Sequence, residues 1–398
     1  MKTNNLHETN FLKSTDEGNN EQCQITEDRK VKNFNKLAFL HILRFVLAFS
    51  IILWHCPFNI ANDYELHPVL FSIRALTMFG GNQAFMLISG MMFYLAYYSK
   101  LANGEMKSNH FLKKRAIRIY PVLIVAVLVS YILSLIIHYN YYPEENINLI
   151  DLLKDTIFFG SRLFGGLYGI YVGPIWFFAP LCVSYLVSLL IIVITKKKRS
   201  IYWFLIPLLI TFFSGLGSNF IVPIFSFYTI SSECFNFFLG FFFMIFLIKF
   251  DKLHNFIKIP LKIICLGIAI IFLYAFYHSK TINPLGSGEM IGSIFCWIPL
   301  IICLYGLKFN IIFDNVVFKS IGALSFHMYI WHEVTYKAWI VHFNLQQKPI
   351  YENSLRALSI FIILVLTVSV LSFSICELIH KFNVVNKLKA KIYKLNNQ

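Results

Sequence analysis

Leu43-Arg44-Phe45-Val46-Leu47-Ala48-Phe49-Ser50-Ile51-Ile52-Leu53-Trp54-His55 is an apolar run that holds one guanidinium and one imidazole. Eleven helical steps of about 100° leave Arg44 and His55 about 20° apart around the axis, so they share a face. At about 1.5 Å per residue they stand roughly 16 Å apart along it. A charge inside a membrane helix costs about 2.5–3.5 kcal/mol on insertion scales, which makes such a residue a functional candidate by default.

The surrounding composition makes lipid the solvent. The chain is 57% hydrophobic and 14% charged, with a mean hydropathy of +0.64. Soluble domains carry about 25% charged residues. Ten apolar segments of spanning length follow one another, at 37–57, 77–98, 116–138, 174–195, 200–217, 232–250, 260–278, 289–307, 318–342 and 355–379. The start of the second is blurred by Gly80-Gly81, and the apolar stretch 219–230 suits a re-entrant or interfacial piece. The first run begins near Leu37, too late and too long for a cleavable signal peptide. The expectation is an all-α, polytopic transmembrane bundle of about ten helices.

The net charge of +15 has a topological origin. With the N-terminus inside, 27 Lys and Arg fall in inner segments and 6 in outer ones; Arg44 and Lys337 lie within helices. That asymmetry is the positive-inside signature and places both termini in the cytoplasm. It argues against a nucleic-acid surface. Residues 1–36 read as a disordered cytoplasmic tail, 37–382 as the transmembrane domain, and 383–398 as a basic cytoplasmic tail. The eight cysteines are scattered without a C-x-x-C pair, so neither a disulfide framework nor a metal site is expected.

Arg44 lies in the inner half of the first helix and His55 near its outer end. Four further constellations carry possible chemistry. Arg115 and Arg118 are i, i+3 neighbours at the cytoplasmic boundary, able either to grip a phosphorylated ligand or to snorkel among headgroups. Ser89-Gly90 is a small pair suited to close helix packing or to close approach of a ligand. Tyr329 and His332 are i, i+3 and can line one cavity, with Glu333 beside them in need of a partner. His327 lies about 140° from His332, so the two do not share a face. Trp176, after Pro174 at an outer helix start, is an interface anchor or faces a sugar. Glu377 pairs with an arginine or snorkels.

Taken together these segments resemble the acyltransferase-3 family of bacterial integral membrane acyltransferases. Arg44 and His55 are similar to its arginine, ten residues, histidine pattern, and Phe85 to Gly90 to its Phe-x-x-x-Ser-Gly motif. Arg115 and Arg118 before Pro121 resemble its Arg-x-x-Arg element, and Trp176-Phe177 its Trp-Phe helix start. Ser325 to His332 is similar to its Ser-Tyr-x-x-Tyr-Leu-Trp-His stretch, with Phe326 in place of tyrosine. Glu377 sits where the family has a glutamate in its last helix.

The resemblance implies a multi-pass protein of the bacterial cytoplasmic membrane that uses an acyl-CoA, commonly acetyl-CoA, as co-substrate rather than as a resident cofactor. It implies a hydroxyl acceptor on a cell-surface glycan or a lipid-linked saccharide. His55 would be the general base or carry the acyl group. Arg44 would hold the donor or stabilise the oxyanion. Arg115, Arg118, Ser89 and Gly90 would bind the donor; Trp176, Tyr329, His332 and Glu333 would line the acceptor site. The fused extracytoplasmic domain of some members is not expected here, so the protein acts alone or with a separate extracytoplasmic transferase. O-succinyl transfer is the alternative within this class. Outside it stand a glycan or anion carrier that uses no CoA, and a non-catalytic assembly factor that would tolerate loss of His55.

Overall fold

The computed structural model describes residues 35–56, 80–141, 177–195, 200–217, 227–278, 293–308, 310–345 and 355–396, with positions 73 and 76. Among the described residues the chain is helical, without strands. Ten helices form the frame: α1 Leu40–His55, α2 Gly81–Phe93, α3 Ser108–Tyr141, α4 Phe178–Ile194, α5 Leu205–Gly217, α6 Phe227–Asp251, α7 Asn255–His278, α8 Ile298–Leu304, α9 Val316–Leu345 and α10 Leu355–Asn396. Each falls on one of the ten apolar segments. A bilayer offers backbone polar groups no water, so a spanning segment must close its own hydrogen bonds, and a helix does so locally.

Four of the described helices are long and apolar enough to cross a membrane, within α3, α6, α7 and α10. The outer faces of α7 and α10 are apolar and bare: Ile263, Ile271, Ile363 and Leu378 are each at least 60% exposed. Such surfaces suit contact with lipid, and the chain is a helical membrane protein.

Local sequence explains several boundaries. Gly80 adopts φ 80°, ψ 51°, a left-handed conformation open to glycine, and α2 starts at the next residue. At its far end α2 passes into a π turn, Tyr94–Tyr98, before its last residues Ser99–Ala102. The eighth segment is shorter than expected, a π turn Ser293–Trp297 leading into α8. The tenth is longer: α10 continues through Asn396, beyond the expected end at 379 and through the span read as a tail. The Lys, Leu, Ala and Asn residues there include strong helix formers, which allows the helix to run on. Residues 1–34 and 218–226 lie outside the described residues, and with them most of the expected tail and the possible re-entrant piece. Lys36, expected in that tail, is packed. Its ammonium pairs with Asp251 and its carbonyl accepts a hydrogen bond from Asn310 Nδ2 at 2.9 Å.

Small residues set the closest approaches, as expected where lipid removes the hydrophobic drive between helices. A Cβ at Gly90 would lie 1.8 Å from the Phe237 carbonyl oxygen, and one at Gly240 2.0 Å from that of Leu87. The missing side chains let α2 and α6 touch backbone to backbone. Gly322 serves α9 in the same way, since a Cβ there would stand 2.8 Å from His41 Nδ1. Phenylalanines fill the seam behind: Phe93, Phe237 and Phe241 are fully buried, and Phe204 stacks on Phe241 at 4.2 Å. Lys36, Asp251, Lys258, Lys262, Tyr305 and Asn310 are linked by polar contacts at one end of the bundle. Three of the segments assigned to the inside, around Lys36, 249–262 and Asn310, therefore meet there.

Candidate active site

Helix α1 carries Arg44 near its start and His55 at its end. It meets α9 at two levels. Gly322 abuts His41, and ten residues later His332 faces His55, so the helices run in the same direction. The imidazole rings of His55 and His332 have centroids 5.2 Å apart and planes tilted by 39°. His55 is the last residue of α1, before Cys56 turns to an extended conformation, and its ring is exposed. His332 is buried, at 1% exposure.

The hydrogen bonding of His332 fixes its chemistry. Nδ1 lies 2.8 Å from the Tyr329 carbonyl oxygen, which can only accept. Nδ1 therefore carries the proton. In the neutral ring Nε2 then holds a lone pair. That Nε2 is buried, with no hydrogen-bond partner among the described residues. His327 is turned elsewhere, as the helical angle requires, and meets Ser372 of α10 at 2.9 Å.

Below the pair stands an aromatic wall. The Tyr329 ring packs against Phe177 at 5.5 Å, Phe85 at 6.2 Å and Phe178 at 6.5 Å. Phe85 comes from α2 and the other two from the start of α4. Ser89, half-buried one turn after Phe85, donates its hydroxyl back to the Phe85 carbonyl at 2.8 Å. Gly90 is buried against α6, so its place is the helix crossing just described. Glu333 is only half-buried, one position past His332. Trp176 lies outside the described residues.

The three arginines converge toward the other end of α1. Arg115 sits in an aromatic box, its Cζ 4.6 Å from the Tyr97 ring centre, 5.4 Å from that of Tyr185 and 5.5 Å from that of Phe111. Tyr97 belongs to the π turn after α2, a distortion frequent at functional sites. Arg115 Nε is buried without a hydrogen-bond partner among the described residues. Arg118 follows one turn later with an exposed side chain. Arg44 lies within electrostatic reach of Arg115, Arg118 and Tyr185, and Arg118 within reach of Glu377. Pro121 lacks the N–H that would bond the Ile117 carbonyl, which frees that acceptor beside Arg118. Cations in a low-dielectric setting repel one another, so their gathering favours an anionic guest.

Residues 37–375 match the family model described as an acyltransferase domain, acyltransferase 3. The chain belongs to the acyltransferase-3 family. No curated protein and no solved structure matches it. A membrane acyltransferase must hold an activated acyl group and an acceptor in one place. Here the arginine cluster and the histidine pair occupy opposite ends of α1, with the aromatic wall between.

The sequence reading missed three parts of this arrangement. It paired neither His55 with His332 nor Arg115 with its aromatic box. It also passed over Glu233, fully buried in α6 beside Ser232 and Asn236. That carboxylate was visible as an acidic residue inside an apolar run, the usual sign of a functional position in a membrane helix.

Proposed function

We propose that this protein is an acyl-CoA-dependent O-acyltransferase of a bacterial cytoplasmic membrane, acting on a hydroxyl of a cell-surface glycan or its lipid-linked precursor. The observation that carries the reading is the division of labour along α1, with three arginines toward one end and two histidines at the other. The basic end faces the cytoplasm. Arg115 and Arg118 hold the CoA phosphates through charge-assisted hydrogen bonds, and the aromatic box fixes the plane of Arg115. The pantetheine arm passes Phe85 and Tyr329, bringing the thioester to His55.

His55 then removes the proton of the acceptor hydroxyl. The acceptor oxygen bonds to the acyl carbon, the carbon–sulfur bond breaks, and the thiolate leaves with a proton as CoA. His332 stays neutral below His55 and presents its Nε2 lone pair toward the reaction. A buried neutral imidazole suits that place, because a second cation beside a protonated His55 would oppose proton uptake. Acetyl is the acyl group the family resemblance favours, with succinyl as the alternative.

The test uses membrane vesicles that contain the full chain. Acyl-CoA labelled in the acyl carbon is added, and transfer to envelope material is followed with release of CoA thiol. Loss of general-base assistance typically costs about 10²–10⁴-fold in rate. His55→Ala should therefore fall by at least about 100-fold while remaining monodisperse in detergent. Near-normal transfer by that variant would remove His55 from the chemistry.

A further inference from the structure

At the His55 end of α1 two imidazoles meet from helices far apart in the chain, so no local motif announces them. Their ring centroids stand 5.2 Å apart. Zn–N bonds of about 2.0–2.1 Å put each ring centre about 3.2 Å from an ion, so a tetrahedral angle sets two ligating rings about 5.2 Å apart. The pair has that spacing with no ion between the rings. Rings can turn about their metal–nitrogen bonds, so the 39° tilt between the planes is compatible with a shared ion.

His332 is prepared as a ligand. Its Nδ1–H is donated to the Tyr329 carbonyl at 2.8 Å, which leaves the lone pair on Nε2, across the ring. Metal-binding histidines almost always donate their second N–H to a backbone carbonyl, a carboxylate or water, which orients the ring and raises its basicity. The Nε2 itself is buried, with no hydrogen-bond partner among the described residues. A buried acceptor left unsatisfied costs about 1–3 kcal/mol, which a bound cation recovers. His55, when neutral, holds one lone pair as well, and its exposed ring gives an ion a way in. Imidazole suits zinc, copper and nickel, whereas magnesium and calcium take oxygen ligands. Among the described residues no group of three His, Cys, Asp or Glu side chains gathers here. Water or an acceptor oxygen would fill the remaining positions, which suits an exchangeable ion better than a resident one.

We infer that His55 and His332 form a reversible site for Zn²⁺, and that its occupation stops acyl transfer. The ion takes the lone pair with which His55 would remove the acceptor proton. Neutral rings release no proton on binding it. The site stands on the geometry of the pair; its effect on transfer rests on the proposed function.

The experiment measures Zn²⁺ binding to the purified full chain by equilibrium dialysis, and acyl transfer in vesicles with and without the ion. Losing only the group that orients a ligand costs about 10–100-fold in metal affinity, so His55→Ala and His332→Phe should each weaken binding at least about tenfold. His110→Ala and His342→Ala, which alter histidines outside the pair, should bind as the parent does. Two separate variants, each checked for a monodisperse peak, guard against misfolding of either. Zn²⁺ should abolish transfer by the parent, a chelator should restore it, and Mg²⁺ should leave it unchanged. No Zn²⁺ binding, or equal binding by the parent and both pair variants, overturns this inference and leaves the proposed function standing. Binding that needs both histidines, with transfer undiminished, overturns the inhibition and the base role of His55 together. Binding that needs both, in a protein that transfers no acyl group even with the ion removed, defeats the proposed function and upholds the metal site.

Discussion

Replacing Gly90 by Ala tests the packing on which the site depends. The added methyl would stand 1.8 Å from the Phe237 carbonyl oxygen, where ordinary contact begins at 3.4 Å. The shortfall is about 1.6 Å, and the obstacle is backbone, which cannot rotate away. The helices α2 and α6 must part by a comparable distance. Overpacking a close-packed seam costs about 1–3 kcal/mol, and a backbone obstacle puts this case at the upper end. At about 2–4 °C per kcal/mol, the melting temperature should fall by about 6–12 °C. Gly240→Ala should do the same, since its Cβ would lie 2.0 Å from the Leu87 carbonyl oxygen. Gly267 is the control. Nothing lies within 4 Å of a Cβ there, and Gly→Ala in an open helix position favours the helix by about 0.5–1 kcal/mol. Thermal unfolding of the detergent-solubilised protein, read by loss of the monodisperse peak, distinguishes these outcomes. Acyl transfer should fall in step for Gly90→Ala, because Phe85 on the same helix packs on Tyr329 and small misplacements of a reacting geometry can cost about 100-fold. Melting of Gly90→Ala and Gly240→Ala at or above the Gly267→Ala temperature would refute the crossing.

Three substitutions probe the two ends of the site separately. Arg118→Ala removes a charge-assisted contact worth about 1.5–3 kcal/mol, so KM for the CoA ester should rise by about 10- to 100-fold with a smaller change in kcat; an unchanged KM would return Arg118 to the role of a headgroup anchor. Arg115→Lys keeps the charge but loses the planar group held by Tyr97, Tyr185 and Phe111, and initial-rate kinetics should show a weaker donor interaction; full activity would deny the box a function. His332→Phe keeps a ring under His55 but removes the Nε2 lone pair, so kcat should drop by about tenfold or more while donor KM holds; an unaltered kcat would make His332 a packing residue.

The architecture was legible because a membrane imposes local rules. Each spanning segment must satisfy its own backbone and present apolar side chains over a fixed thickness, so ten runs of sequence become ten helices. The angle between His327 and His332 could likewise be computed from the helical period, and the structure sends the two rings to different neighbours. What the sequence concealed is contact between helices distant in the chain. Nothing local to Gly90 announces Phe237, and nothing local to Arg115 announces Tyr97 and Tyr185. Boundaries that turn on backbone conformation were partly visible: Gly80-Gly81 marked a disturbance, and the structure resolves it as a left-handed residue ahead of α2. The π turn that carries Tyr97 left no periodic signal, because one extra residue in a turn shifts the phase without changing the composition.

The arginine cluster is also a statement about cost. Insertion scales charge about 2.5–3.5 kcal/mol for a cation at the centre of a membrane helix, and Arg44 pays part of this without any carboxylate among the ion pairs of the described residues. A purely structural role would favour a matched acid at each arginine, since an unmatched buried cation weakens a fold. Among the described residues Glu377 lies within electrostatic reach of Arg118, and the three arginines still outnumber it around Tyr97 and Tyr185. The surplus is what a polyphosphate guest would neutralise. On the proposed function, the uncharged aromatic lining described between the arginines and His55 would keep the anionic end of such a guest at the arginines while its reactive end reached toward the histidines.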